Sequence, residues 1–516
     1  MRTEFEELSR RVISSGSISR DVIEPATGET LGTVPESTPD DVAKAVETAR
    51  EKQAKWAEVP VATRAAIIEQ FSEAVLTHRE EFLDLLQSET GKSRQTALEE
   101  LLDVQATCEY AVDYGPRAIA DESRKPALSL LSTATVTYEP VGVVGVISPW
   151  NYPLNLAMVD AIPALLAGNA VVLKPDEKTP YGALFMAELF EKAGLPDGLF
   201  QVVCGDGETV GGTLIDTVDY VSFTGGTETG RAIAERAGRN LIDCSLELGG
   251  NNPLIVLDDA DVEEAARGAV TACFSNLGQL CLSAERLYVE ESVYEDFLAA
   301  FINETEELTF GTDNTFEADL GSLIDETQLK RVESHVASAR ESGATVETGG
   351  RARPDVGPYC YAPTILTDVE PDSRVACEET FGPVVSVTPV DSEAEAIEQA
   401  NDSPYGLNAS VWTGDRARGE RVARQIDCGT VCVNDGFAVA WSATDAPMGG
   451  MGESGIGRRH GPEGIRRYTE SRTVAVSKVG PLGLPDRVPT EWVVAGFVGV
   501  TRLRRRMKRA IRAIRD

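Results

Sequence analysis

Cys281 closes the run Gly278-Gln279-Leu280-Cys281. A thiol is suited to attacking a carbonyl, because sulfur is strongly nucleophilic once deprotonated. The attack creates an oxyanion, and release of the product needs a general base. Histidine is scarce: His78, His335 and His460 are the only three and lie far apart. No metal is therefore expected, and a carboxylate is the expected base. Glu247 offers one, 34 residues before Cys281, in the run Leu246-Glu247-Leu248-Gly249-Gly250-Asn251-Asn252-Pro253. Four more runs gather functional side chains or flexible backbone: Pro149-Trp150-Asn151-Tyr152-Pro153, Lys174-Pro175-Asp176-Glu177, Phe223-Thr224-Gly225-Gly226-Thr227-Glu228-Thr229-Gly230 and Glu378-Glu379-Thr380-Phe381-Gly382-Pro383. Taken singly, Cys281 reads as a small buried hydrophobe, Glu247 as a cap or surface acid, Asn151 as a turn residue. Their joint order is what carries meaning.

Elements must bring these runs together. The first third predicts helices, the first starting at Thr38-Pro39-Asp40-Asp41 and followed by others near 62–78 and 80–88. Glu89-Thr90-Gly91-Lys92-Ser93 is not a phosphate loop, since Leu86 stands where the first glycine is required. From about Thr135 strands and helices alternate. Residues 135–138 read as an edge strand, 141–147 as a buried parallel strand, and 154–167 as a helix closed by Gly168. Strands at 170–173, 200–203 and 220–223 follow, with helices at 181–193, near 208–215 and after Thr227. Repeated β-α units of this length predict a doubly wound parallel sheet, whose ligands sit at the carboxyl ends of the strands. A second α/β region spans about 251–433, with no long flexible linker between the two.

The 516 residues are too many for one ordinary domain, and 42% hydrophobic residues suffice for large cores. The net charge of −35 repels nucleic-acid phosphates, so no nucleic-acid partner is expected. Such acidity with an ordinary apolar fraction resembles proteins of salt-loving organisms, where counterions screen the self-repulsion; an acidic mesophilic enzyme is the alternative. Nine scattered cysteines make no disulfide framework, and the N-terminus shows no signal peptide, so a cytoplasmic location is expected.

The six runs, in this order, resemble the aldehyde dehydrogenase superfamily over residues 20–480. The resemblance implies a doubly wound parallel-sheet NAD domain (1–127 and 142–247), a second α/β catalytic domain (248–445) and oligomerisation or bridging segments (128–141 and 446–480); the basic amphipathic tail (481–516) departs from it. It implies Cys281 as nucleophile, the Asn151 amide and the Cys281 backbone N–H as oxyanion donors, and Glu247 as base. Relatives that pass the acyl group to coenzyme A usually lack this glutamate, so hydrolysis to the acid is expected. For the cofactor it implies Trp150, the turn Thr224-Gly225-Gly226-Thr227 with Gly230, Lys174 and Glu177 at the adenine ribose, Glu379 at the nicotinamide ribose and Phe381 beside the ring. Gly226 stands where the family often has serine. An acid at 177 favours NAD, with NADP the alternative because Lys178 is adjacent.

Asp160-Ala161-Ile162-Pro163-Ala164-Leu165 and the stretch Ala446 to Gly455, with Gly457-Arg458-Arg459-His460-Gly461 after it, resemble the actinobacterial-type branch of succinate-semialdehyde dehydrogenases. Succinate semialdehyde is thus the first substrate implied. Val159 and Ser275, however, stand where the major type carries two carboxylate-binding arginines. Met158, Phe274, Phe437 and Trp441 would suit an apolar or aromatic aldehyde, or serve packing. Arg458 and Arg459 are readable as anion partners or as solvated or interface charges.

The family pairs subunits through segments near 128–141 and 470–478, so a homo-oligomer, dimer or tetramer, is implied. After the nine apolar residues 492–500, positions 501–516 hold eight basic residues against Asp516. Leu503, Met507, Ala510, Ile511 and Ile514 share one helical face. This predicts peripheral membrane contact through residues 492–516, or alternatively a helix docked on the enzyme or a disordered tail.

Overall fold

The protein is represented by a computed structural model that describes residues 2–480 and 489–515; positions 481–488 and 516 of the expected tail lie outside that description. The helix Pro39–Trp56 begins at a reciprocal cap: the Thr38 hydroxyl accepts from Asp41 N–H while the Asp41 carboxylate accepts from Thr38 N–H. Helices Val61–Thr77 and Arg79–Thr90 follow. The next helix, Arg94–Asp113, was not legible in the sequence: the buried polar residues Thr96, Glu100, Asp103 and Thr107 stand beside its apolar stripe and blur it.

A six-stranded sheet is built on Val143–Ile147, flanked by Ala170–Lys174 and Phe200–Val202 on one side and by Tyr220–Thr224 and Asp243–Glu247 on the other. All of these pairings are parallel, as the β-α rhythm predicts. The outer edge is closed by the two-residue strand Gly455–Ile456, antiparallel to Leu246–Glu247. That strand comes from the far end of the chain and carries no local pattern. Helix Pro153–Ala167 is wholly buried and ends at Gly168 with φ 102°, in the left-handed region that a C-cap glycine supplies.

A seven-stranded sheet follows, in spatial order Thr345–Thr348, Thr364–Thr367, Val384–Val390, Ala284–Glu290, Asn252–Val256, Asn408–Trp412 and Thr430–Val433. Apart from the first strand it is parallel. Each of the two sheets has its own hydrophobic core.

The chain divides into two compact units, Met1–Ile119 with Glu139–Glu470, and Ala120–Tyr138 with Ser471–Asp516. The smaller holds a three-stranded sheet in the order Thr469–Ser477, Ser132–Pro140, Glu122–Arg124. Residues 135–138 therefore lie in the middle strand, not at an edge, because the distant strand 469–477 covers the side that the sequence leaves open. The same unit holds the helix Thr490–Arg515. Among the described residues no helix is long and apolar enough to cross a membrane.

Candidate active site

Strand ends from both large sheets meet at one cleft of about 190 Å³, lined by Trp150, Asn151, Thr224, Gly225, Gly226, Glu247, Cys281, Glu379 and Phe381 among others. Nine of the residues singled out in the sequence thus converge. Cys281 sits between a turn at Ser275–Gly278 and the strand Ala284–Glu290. Asn276, Leu277 and Gly278 in that turn all have positive φ (51°, 55° and 71°). Two consecutive non-glycine residues in this region cost of order 1–3 kcal/mol each and persist only where surroundings fix them. At Gly278 the fixing is a close approach: a Cβ there would stand 2.2 Å from the Gly382 carbonyl oxygen.

Asn151 is tied to the same turn. Its amide donates to the Gln279 carbonyl (3.0 Å), and its own carbonyl accepts from Asn276 Nδ2 (3.2 Å) and Lys92 Nζ (2.8 Å). Lys92 is buried, paired with Glu100 at 2.5 Å, and lies 4.1 Å from the centre of the Tyr152 ring. The other carboxylate oxygen of Glu100 accepts from the N–H groups of Leu154 and Asn155, at the start of helix Pro153–Ala167. Sequence reasoning missed Lys92 and Glu100. The signal was the Glu89-Thr90-Gly91-Lys92-Ser93 run, which has a structural use although it is no phosphate loop. Glu89, likewise buried, receives the Tyr181 and Gly182 N–H groups (2.6 and 2.7 Å) at the start of helix Pro180–Lys192.

The electrostatics of the cleft favour neutral forms. Burial, then Glu379 and Glu247, push the Cys281 thiol up to about 12, opposed by Arg459 and by the residue's own backbone N–H. Burial raises Glu247 to about 7, with Arg459 and Arg467 pulling against it, and its Oε1 has no hydrogen-bond partner. Burial also raises Glu379 to about 7, although its Oε1 accepts from Gly250 N–H at 2.9 Å. Glu285, on the strand after Cys281, receives Thr380 and Phe381 N–H (2.7 and 2.9 Å) and so fixes the loop that carries Glu379. Phe381 packs edge-on against Trp150, ring centres 5.5 Å apart.

Arg459 is neither solvated nor free for substrate. It is buried and bonded to Asp160 at 3.1 and 2.7 Å, and Asp160 also pairs with Arg467. Arg458 donates to the carbonyls of Gly450 and Gly457. Met158 and Phe274 belong to the two hydrophobic cores, whereas Phe437 and Trp441 line a separate cavity of about 320 Å³ with Tyr152, Leu280 and Leu282. Asn151 and Cys281 face the cleft, and their chain neighbours Tyr152, Leu280 and Leu282 face this cavity.

The cleft continues into a larger one of about 750 Å³, lined by Lys174, Glu177, Glu208, Gly211, Thr229 and Arg236 as well as Trp150, Thr224, Gly225 and Gly226. A dinucleotide fits this surface. A Cβ on Gly226 would meet nothing within 4 Å, so the backbone at the N-cap of helix Thr227–Asn240 is open to a phosphate. A serine hydroxyl could be accommodated there, but this chain lacks it. Thr227 and Gly230 are not among the lining residues: the Thr227 hydroxyl donates to the Glu453 carbonyl, and Gly230 packs so closely on Leu248 that a Cβ would stand 2.4 Å from it. The Lys174 ammonium donates to the Pro175 carbonyl at 3.2 Å and lies 3.8 Å from Glu177; Lys178 lies against the Trp150 ring and Asp325.

The site thus brings together a buried thiol, a carboxyl group raised to about 7 and a dinucleotide-sized cleft. The chain belongs to the aldehyde dehydrogenase family, whose model matches residues 13–474. A protein of Mycobacterium tuberculosis named "Putative succinate-semialdehyde dehydrogenase NADP(+) 2" is 50% identical over 475 residues, covering 92% of each chain. Succinate-semialdehyde dehydrogenase NADP(+) GabD of Escherichia coli is 37% identical over 88% of this chain and 94% of its own. A crystal structure of betaine aldehyde dehydrogenase from Staphylococcus aureus in complex with NAD+ has a TM-score of 0.87 and 32% identity, covering 94% of this chain and 98% of that one.

Proposed function

We propose that this enzyme oxidises an aldehyde to a carboxylic acid through a thioester on Cys281. The observation that carries the reading is the convergence of Cys281, Glu247 and Asn151 on one cleft continuous with a dinucleotide-sized one. Cys281, held as the neutral thiol by burial, loses its proton to water before its sulfur attacks the aldehyde carbon, and the Asn151 amide and Cys281 N–H hold the oxyanion. As the oxyanion collapses, the carbonyl reforms and the thioester remains on sulfur. The nicotinamide cofactor, when bound, supplies the hydride acceptor. Glu247 then takes a proton from water as it attacks the thioester, releasing the acid and the thiolate. Glu379 and Phe381 would hold the nicotinamide end, and Lys174 and Glu177 the adenosine end.

Either NAD or NADP is accommodated by this reading. Glu177 opposes a 2′-phosphate, which favours NAD, while the mycobacterial and E. coli relatives are named for NADP(+). The names of those relatives also make succinate semialdehyde the first substrate to test. An apolar or aromatic aldehyde is the second reading, supported by Leu280, Leu282, Phe437 and Trp441 around the cavity. Purified enzyme assayed in high salt against an aldehyde panel, with each cofactor and reduced cofactor followed by absorbance, tests all of this. No turnover of any aldehyde with either cofactor would refute the reading.

The domain reading divides the chain into a cofactor domain (1–127, 142–247), a catalytic domain (248–445) and bridging segments (128–141, 446–480). Self-association as a dimer or tetramer is supported by Val474 and Val476, both exposed on the strand Thr469–Ser477. A monomer by light scattering at working salt would overturn it. Nine free cysteines fit a reducing cytoplasm, and the acidity fits a salt-rich one.

A further inference from the structure

The loop that carries Glu379 and Phe381 has no secondary structure of its own to hold it. Glu379, Thr380 and Phe381 lie outside helix and strand, between the short helix Arg374–Cys377 and the strand Val384–Val390. Phe381 has φ 56°, a left-handed conformation that a bulky side chain adopts only when its surroundings impose it. Backbone polar groups in such a setting must be satisfied from elsewhere.

Side chains from two elements satisfy them. On one side is Glu285, 3% exposed, at the second position of the strand Ala284–Glu290 and four residues after Cys281. One of its carboxyl oxygens receives Thr380 N–H (2.7 Å) and the other Phe381 N–H (2.9 Å). On the other side is helix Glu326–Glu341, where Gln328, Arg331 and His335 share one face. Arg331 donates to the Glu379 and Thr380 carbonyls, and Gln328 to those of Thr380 (3.2 Å) and Phe381 (2.6 Å). His335 is fully buried, and its neighbours fix its tautomer. The Arg374 guanidinium can only donate and lies 3.1 Å from Nε2. Nε2 therefore accepts, and Nδ1 carries the hydrogen and donates to the Thr380 hydroxyl at 3.1 Å. Burial, then Arg331 and Arg374, hold the imidazole down at about 4, so it stays neutral and keeps that donor at neutral pH.

The same loop touches the turn before the nucleophile, where Gly278 stands so close to the Gly382 carbonyl that a Cβ has no room. Gly278 and Glu285 thus tie the loop to the chain on either side of Cys281. We propose that Glu285 is a positioning residue for the nicotinamide half of the cofactor: it fixes the loop Glu379–Phe381 to the strand that follows the nucleophile, while the His335–Thr380 hydrogen bond fixes it from the far side. The inference rests on the reading of Glu379 and Phe381 as the nicotinamide-end contacts. Glutamine cannot replace Glu285, since an amide offers one acceptor oxygen to two N–H groups.

Glu285→Gln and Thr380→Val test this, the second deleting only the hydroxyl that His335 holds. Amide hydrogen exchange read by mass spectrometry should be at least about tenfold faster over 378–382 in Glu285→Gln, and unchanged in the strands of the first sheet. In calorimetry each variant should bind the tighter of NAD and NADP about tenfold more weakly than the native enzyme does, yet bind the adenosine nucleotide of that cofactor equally well. A general loosening of the fold would weaken both ligands alike, and a role confined to stability would move neither. Thr380→Val keeps the size of the side chain, so it decides the matter if Glu285→Gln does not fold. Native-like cofactor binding in both variants, equal weakening of cofactor and nucleotide, or unmoved exchange in Glu285→Gln overturns the proposal. If the native enzyme binds both ligands but oxidises no aldehyde, the positioning role stands and the role of Cys281 falls. If it binds neither, the cofactor reading falls and the positioning role with it.

Discussion

Cys281, Glu247 and Asn151 make separable predictions. Cys281→Ala should remove dehydrogenase activity while NAD or NADP still binds, measured by quenching of tryptophan fluorescence. Glu247→Gln should slow turnover about 100-fold or more and leave an added acyl mass on Cys281 in intact-protein mass spectrometry; turnover at the native rate would refute Glu247 as deacylation base. Burial holds the Glu247 carboxyl near 7, so the base is protonated and idle at acid pH. Thioester release should rise with pH and level off above about 7. A release rate flat from pH 5 to pH 8 in single-turnover measurements would contradict this. The three side chains were legible through the joint order of the runs that carry them, since each alone reads as a buried thiol, a surface acid or a turn residue. Lys92 and Glu100 were not legible as site residues, since a buried ion pair leaves no periodic trace and the run invited comparison with a phosphate loop. Arg459 was misjudged for a similar reason: an arginine in a glycine-rich stretch looks solvated until Asp160 is found beside it.

At the scale of elements, the start of helix Pro180–Lys192 depends on a side chain from another helix. Glu89 receives two of its orphan N–H groups in a fully buried setting, and Glu285 does the same for the Thr380–Phe381 loop. Burial raises both carboxyls to about 8. A carboxyl raised on folding stabilises fully below its unfolded value, and that stability is lost as pH rises through its folded value. Thermal stability should therefore decline between about pH 5 and pH 9. Glu89→Gln leaves one N–H without an acceptor and should cost on the order of 1–3 kcal/mol, with a shallower alkaline decline, both read by chemical denaturation across a pH series. Unchanged stability would show that water replaces the carboxyl. The β-α alternation of the first sheet was readable because buried parallel strands are short apolar runs bounded by glycine and proline. In helix Arg94–Asp113 the buried polar residues Thr96, Glu100, Asp103 and Thr107 stand beside the apolar stripe Ala97, Leu101, Val104, Cys108 and Ala111 and blur the period that would mark it.

For the whole molecule, charge is unevenly distributed. A chain of net charge −35 ends in the helix Thr490–Arg515, which exposes Trp492, Phe497, Val500, Leu503 and Met507 beside its basic residues. Peripheral contact with an anionic membrane is the proposal for this helix, since each basic residue near such a surface contributes on the order of 1 kcal/mol. Deleting 484–516 should leave kcat near the native value and abolish sedimentation with anionic vesicles at low salt; equal sedimentation of both forms would refute anchoring. Screening should also raise the melting temperature of the full chain as salt increases.

The strand Gly455–Ile456 has a consequence for how the protein is made. It closes the edge of the first sheet beside Glu247, and a Cβ at Gly455 would stand 2.2 Å from the Leu246 carbonyl, so glycine is what allows the backbones to approach. The two partners are more than two hundred residues apart in the chain. During synthesis, the strand ending in Glu247 must wait with an open edge while the entire second sheet leaves the ribosome. A nascent chain stalled before residue 455 is thus sticky along the edge that bears the base, and a segment that emerges late, after the whole second sheet, is the one that makes the first sheet safe.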